Sequence, residues 1–343
     1  MKIKERFLTT GIGSLPFSDT AKSIDVICSS FDIPFWPQLP KIGFKENMYV
    51  QYALGLPNLV IDEKKKKIFI DTSKDLSEGL GKIFEVYLSE DYREFALTRD
   101  FAKGFFSFLE AAKGRHPKYI KGHVTGPVSF GLSVTDENGR SIFYNDTLKE
   151  GFIKLLEIKV SSQIDSLNSI SKNVIIFIDE PYLTSFGSSF VSLEREDVIL
   201  SLNLLIDKIH SKGALAGIHC CGNTDWSILT STEVDIVNFD AYQYADSLGL
   251  YPDAISKFLK KGGSLAWGIV PTSNEVLSET GSTLFDRLSL EIDKLQKKGI
   301  SKELLISNSL ITPSCGMGTL SEYLVADITA KISLLGRLAK DRL

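Results

Sequence analysis

Three residues from two distant parts of the chain, His219 with Cys221 and then Cys315, carry the donor types that a metal site needs. His219 and Cys221 stand two apart at the end of the apolar run Gly213-Ala-Leu-Ala-Gly-Ile-His-Cys-Cys-Gly222, and Cys315 follows a second run, Leu304 to Ile311. Short apolar runs bounded by glycine and proline read as buried strands, and alternation along a strand puts His219 and Cys221 on one face with Cys220 on the other. Two sulfurs and one imidazole nitrogen suit zinc. Asp240, ending Asp235-Ile-Val-Asn-Phe-Asp240, offers a carboxylate as fourth ligand. A carboxylate is easily displaced by an incoming sulfur, so this set leans toward catalysis: zinc so held would keep a further thiol deprotonated and make it a strong nucleophile. Two readings compete, a closed zinc site that only staples three strands and a buried polar cluster satisfied by hydrogen bonds without metal.

Two carboxylates, Asp179-Glu180 before Pro181, end the run Asn173-Val-Ile-Ile-Phe-Ile178. One of them is expected to point into a pocket, where it suits a substrate ammonium; the plainer role is a helix or loop cap. His123 could face the same pocket or be a satisfied core residue, and aromatic packing is the default for Trp36 and Trp267. Cys28 lies on a helical stretch and reads as core.

These groups need a scaffold that brings strand ends together. Apolar runs alternate with segments of helical period from end to end, which predicts repeated strand-helix units around a parallel sheet. Eight strand candidates appear at 8–14, 33–39, 119–124, 174–178, 214–219, 236–239, 264–269 and 304–311, with helix-like segments such as 147–170, 195–212 and 319–342. An α/β fold of the (β/α)8 TIM-barrel type, one domain over residues 1–343, fits this pattern. The candidate groups all follow strands, where the catalytic rim of such a barrel lies. Two inserted hairpins are expected, at 59–71 with four lysines at its tip and at 132–144 around Asn138-Gly139.

With 43% hydrophobic residues in 343, the chain can bury a large core. A net charge of −4 leaves no basic footprint for nucleic acid, and none of its binding motifs is present. The N-terminal residues lack a signal-peptide pattern and no run of about 18 apolar residues could span a bilayer, so a cytoplasmic protein with no membrane partner is expected. Four cysteines, two of them adjacent, do not form a disulfide framework.

Taken together, Thr9-Thr-Gly-Ile-Gly-Ser-Leu-Pro16, Val124-Thr-Gly-Pro127, Ile178-Asp-Glu-Pro181, His219-Cys-Cys221 and Pro313-Ser-Cys-Gly316 resemble the C-terminal catalytic barrel of cobalamin-independent methionine synthase, over essentially the whole chain. The wider superfamily includes uroporphyrinogen decarboxylase and the zinc methyltransferases that take methyl groups from corrinoid proteins. The resemblance implies zinc on His219, Cys221 and Cys315, with Asp240 where that family has a glutamate. It also implies that Ile12, Gly13 and Ser14 hold an amino-acid carboxylate, and that Asp179, with Glu46 as a second acid, holds its amino group. Homocysteine is then the thiol and methionine the product.

The departures lie on the methyl-donor side. The tryptophan that the family carries soon after Thr-Gly-Pro, the glutamate after Asp-Glu-Pro and the histidine after the seventh strand are all missing here, with His123 or water left to replace the last. A methyl-corrinoid carried by a partner protein is therefore an expected donor in place of methyltetrahydrofolate. The alternatives are a corrinoid-linked enzyme acting on another thiol, which the retained Asp179 disfavours, and a zinc-binding barrel without catalysis. A decarboxylase has no use for the metal triad.

Overall fold

A computed structural model of the protein describes residues 2–189 and 191–343. Its strands are β1 (Leu8–Thr9), β2 (Leu59–Asp62), β3 (Lys67–Ile70), β4 (Ile120–Thr125), β5 (Thr135–Asp136), β6 (Val174–Asp179), β7 (Leu215–Cys220), β8 (Ile236–Phe239), β9 (Ser264–Val270) and β10 (Ser309–Pro313). Seven of them form one parallel sheet in the order β1-β10-β9-β8-β7-β6-β4. Helices follow most of these strands, among them 146–167, 195–211, 281–297 and 322–342. Almost every position of β4 and β6 to β10 is buried, as expected of strands covered on both faces.

The complete eight-stranded barrel read from the sequence is observed as a curled seven-stranded sheet. The missing strand is the expected one at 33–39, and its chemistry explains the difference: Pro34 and Pro37 have no N–H to give a ladder. Only isolated bridges remain, Phe35 with Lys121 and Ser14 with Gln38. The segment still touches both edges, since the Ile33 N–H donates to the Thr9 carbonyl (3.0 Å) and the Lys121 N–H to the Pro34 carbonyl (2.9 Å). The sheet therefore curls far enough for one segment to reach from β1 to β4.

Two further expectations change. Leu304 belongs to a short helix, Lys302–Ser307, and the strand begins at Ser309. The hairpin at 59–71 forms, while the one at 132–144 shrinks to a single antiparallel bridge, Thr135 with Ser141, around the Asn138-Gly139 turn; β5 is two residues long and pairs parallel to β3, and Ile142–Tyr144 is a 3-10 turn.

Inside the curl the strands are layered. Ile175 and Phe177 of β6, Leu215 of β7, Ile236 of β8, Ala266 of β9 and Leu310 of β10 form an apolar plug with Ile33 and Tyr119. Gly217 makes room for it, because a Cβ there would lie 2.5 Å from the Phe177 ring. Period-two alternation then carries the same faces upward from Phe177 to Asp179 and from Gly217 to His219. The polar row stands on the apolar one. No described helix is long and apolar enough to cross a membrane.

Candidate active site

Register sets the row at the rim. Thr125 pairs with Asp179, Asp179 with His219, and His219 with Asn238, so the four residues lie at one level on adjacent strands. Cys221 follows one residue after β7, and Cys315 two residues after β10. One donor atom from each of His219, Cys221 and Cys315 lies within 4.8 Å of the other two. Residues nearly a hundred positions apart thus form one ligand group. The loop that carries Cys315 is tied back to β9 by Ser314, whose backbone N–H donates to Val270 and whose hydroxyl accepts from the Thr272 N–H at 3.1 Å.

Three hydrogen bonds orient the histidine. The Asn238 amide nitrogen donates to the Ala266 carbonyl and the Thr312 hydroxyl, both at 2.8 Å, which fixes the amide and leaves its oxygen to accept from His219 Nδ1 at 2.5 Å. Nδ1 therefore carries the proton and the Nε2 lone pair is free. Nε2 is buried without a hydrogen-bond partner among the described residues. A buried nitrogen left unpaired beside two sulfurs, with its tautomer set by an outer amide, fits a zinc ligand. The two thiols are coupled: Cys315 pulls Cys221 down to about 4, helped by His219, while Cys221 and burial push Cys315 up. Burial lowers His219, but Cys221, Asp179 and Asn238 together more than reverse this and the net shift is upward. Cys220 points away, its thiol raised to about 12 by burial.

Asp240 does not join the three. Its carboxylate accepts from the Gln243 N–H at 2.9 Å and caps the helix Ala241–Leu248. Burial raises it to about 6, and its charge is felt by Cys221 and His219.

A cavity of about 140 Å³ opens over the cluster, lined by Ile12, Gly13, Ser14, Gln38, His123 and Asp179 together with the three ligand residues. The two acids of Asp179-Glu180 divide their work. Asp179 faces the cavity with Oδ1 buried and unpaired, and burial raises it to about 6. Glu180 turns the other way and accepts from the Val128 and Ser129 N–H groups (2.9 and 2.8 Å) and the Ser129 hydroxyl (2.6 Å), capping the helix after Thr125-Gly-Pro127. Gly126 is needed there, since a Cβ would overlap that carboxylate. Ser14 accepts from the Gly318 N–H at 3.1 Å, which docks the 12–14 loop on the loop bearing Cys315.

Glu46 lies outside this lining. Its carboxylate accepts from the Lys103 N–H (2.7 Å) and the Gln51 amide (3.0 Å), so it holds neighbouring chain segments together. Trp267 packs in the core with its N–H on Ser309 (2.8 Å), and Trp36 stacks on His123. Two residues of the site had gone unremarked. Asn238 had a signal, standing two before Asp240 and so on the same strand face. Lys121 had another, a lone lysine within an apolar strand; it is fully buried, gives its ammonium to the Ile12 carbonyl at 2.6 Å, and is lowered to about 7 by burial.

No protein-family model matches the sequence, and no curated protein does. Among solved structures, a Listeria monocytogenes protein assigned provisionally as a vitamin-B12 independent methionine synthase aligns with 100% of this chain and 99% of its own, at TM-score 0.54 and 14% identity. The chain resembles that protein in fold. A B12-independent methionine synthase from Shewanella sp. W3-18-1, solved with selenomethionine, aligns with 68% of this chain and 67% of its own at TM-score 0.47 and 17% identity. At such identities the likeness concerns the path of the backbone, and the chemistry has to be argued from the residues of the cavity.

Proposed function

We propose that this protein is a zinc-dependent methyltransferase that activates a thiol amino acid, homocysteine first, for attack on a methyl donor. The observation that carries this reading is the meeting of two unpaired groups in one cavity, His219 Nε2 within the ligand cluster and Asp179 Oδ1 beside it. When bound, zinc would supply the Lewis acidity that keeps a substrate thiol deprotonated at neutral pH.

His219, Cys221 and Cys315 would hold the metal, with Asp240 close enough to contribute charge. Asp179 would take the substrate ammonium, which gives its buried oxygen the partner it lacks and favours its ionised form. The 12–14 loop would hold the carboxylate. Methyl transfer forms the new carbon-sulfur bond as the donor-methyl bond breaks, with that bond's electron pair staying on the donor. The cavity is small beside the roughly 300–1,000 Å³ of drug-sized pockets, so it suits a small amino acid and leaves a large donor to approach from the mouth. A methyl-corrinoid on a partner protein fits the absence of the family's pterin contacts. It stands as the favoured donor within this proposal.

Zinc content and transfer of a labelled methyl group to homocysteine test the reading, with methylcobalamin and methyltetrahydrofolate offered in parallel. Turnover with methylcobalamin alone supports the changed donor. Turnover with methyltetrahydrofolate alone refutes it, and protein that takes up no zinc refutes the metal reading itself.

A further inference from the structure

One buried histidine in the cavity takes no part in the ligand cluster. His123 is 3% exposed, lines the cavity, and has no hydrogen-bond partner on either ring nitrogen among the described residues. Its position is tightly built. The ring stacks on Trp36 at 3.8 Å and 25°, and the Trp36 N–H is held by Gln163 Oε1 at 2.8 Å. The same oxygen accepts from the His123 backbone N–H (3.1 Å), while the Gln163 amide nitrogen (3.0 Å) and the Tyr52 hydroxyl donate to its carbonyl. A ring so firmly placed, with both nitrogens deprived of water, lacks a partner that a ligand can supply.

Its surroundings indicate which ligand group. A Cβ on Gly13 would lie 2.9 Å from Nδ1, so this edge of the ring faces the 12–14 loop. Lys121 stands on the same face of β4, two residues earlier, and fixes that loop through the Ile12 carbonyl at 2.6 Å. Its ammonium also lies 4.4 Å from the centre of the Phe177 ring. Two N–H donors, the Lys121 amine and the His123 imidazole, thus sit beneath one wall of the cavity, and the unpaired carboxylate of Asp179 lies on another. This polarity matches a zwitterion. Burial and Lys121 hold the ring well below the usual histidine range, so it is neutral and has one N–H to donate.

We propose that His123 is a further substrate-binding residue, donating a ring N–H to the α-carboxylate of the thiol amino acid and selecting it over thiols without that carboxylate. The proposal rests on the thiol amino acid being the substrate, and it gives His123 a role in recognition in place of a proton relay. Calorimetric titration of zinc-loaded wild type, His123→Met and His123→Gln with homocysteine and with its decarboxylated counterpart, an aminopropanethiol, tests it. His123→Met should lose roughly 10- to 100-fold in affinity for homocysteine, the worth of one hydrogen bond to a charged group. Binding of the aminothiol and zinc content should stay at wild-type levels, and His123→Gln, which keeps a donor, should recover part of the loss. Equal losses for both thiols, or none for homocysteine, overturn the assignment while leaving the proposed function intact. Wild type that binds neither thiol removes the substrate class and this assignment with it.

Discussion

Removing the Asn238 side chain tests whether the outer hydrogen bond, and not just the three ligands, makes the cluster a metal site. In Asn238→Ala, His219 Nδ1 loses its acceptor, the ring can rotate or change tautomer, and Nε2 is no longer held toward the sulfurs. Losses of this kind typically lower metal affinity by about 10- to 100-fold, or about 1.4–2.7 kcal/mol. The same change takes a donor from the Ala266 carbonyl and the Thr312 hydroxyl and leaves the His219 Nδ1–H without its acceptor, all in a buried setting; the Ala266 carbonyl stays in the β8–β9 ladder. With the His219 N–H and the Thr312 hydroxyl left unsatisfied at ~1–3 kcal/mol each, the metal-free protein should also lose roughly 2–6 kcal/mol of stability. Two readouts separate the effects, competition for zinc against a chromophoric chelator and denaturant unfolding of the metal-free chain. Thr312→Val serves as control, because it removes one anchor of the amide while Ala266 still fixes its orientation; it should lower stability and leave zinc affinity within about threefold, since His219 keeps its partner. If Asn238→Ala loses stability yet binds zinc as tightly as wild type, the claim that Asn238 prepares His219 for a metal is refuted.

Asp179→Asn keeps the shape but cannot take an ammonium as a charge partner, so KM for homocysteine should rise by roughly 10-fold or more with zinc content unchanged; steady-state kinetics beside metal analysis check this. Lys159, fully buried with its ammonium donating to the Phe95 carbonyl at 3.0 Å, is lowered by burial from 10.5 to about 7. As pH rises from about 7 toward 10.5 the folded chain has already released a proton that the unfolded chain retains, so this group makes stability rise across that window. Lys159→Met should flatten that slope and raise stability at neutral pH, read from denaturant melts over a pH series. Gly126→Ala forces a methyl group into the Glu180 carboxylate and should cost about 1–3 kcal/mol in the same melts, where an unchanged midpoint would mean that the cap can shift at no cost.

Much of the fold could be read because buried parallel strands leave long apolar runs, and β4, β6, β7, β8 and β9 appear close to where those runs lie. The segment at 33–39 could not be judged this way. Its apolar residues match a strand while Pro34 and Pro37 deny it a ladder, and only the neighbours it meets at Thr9 and Lys121 show how it spans the gap. Leu304 lies in a helix and not in the expected strand for a related reason, since a short buried helix and a strand share the same apolar signature.

Chemical identity belongs to the sequence alone. It determined that two thiols and an imidazole end buried runs, that a pair of acids ends another, and that the residues which hold a pterin in the resembling family are absent. The tertiary structure decided which of these groups meet. Inter-strand register put Asp179, His219 and Asn238 on one level, turned Glu180 away to cap a helix, set Asp240 at the head of another, and left Glu46 outside the cavity. It also revealed the two silent partners, Asn238 behind His219 and Lys121 beneath the 12–14 loop. Alternation along one strand gives a side chain its face, but its partners come from other strands, and only the folded sheet sets the distance between them.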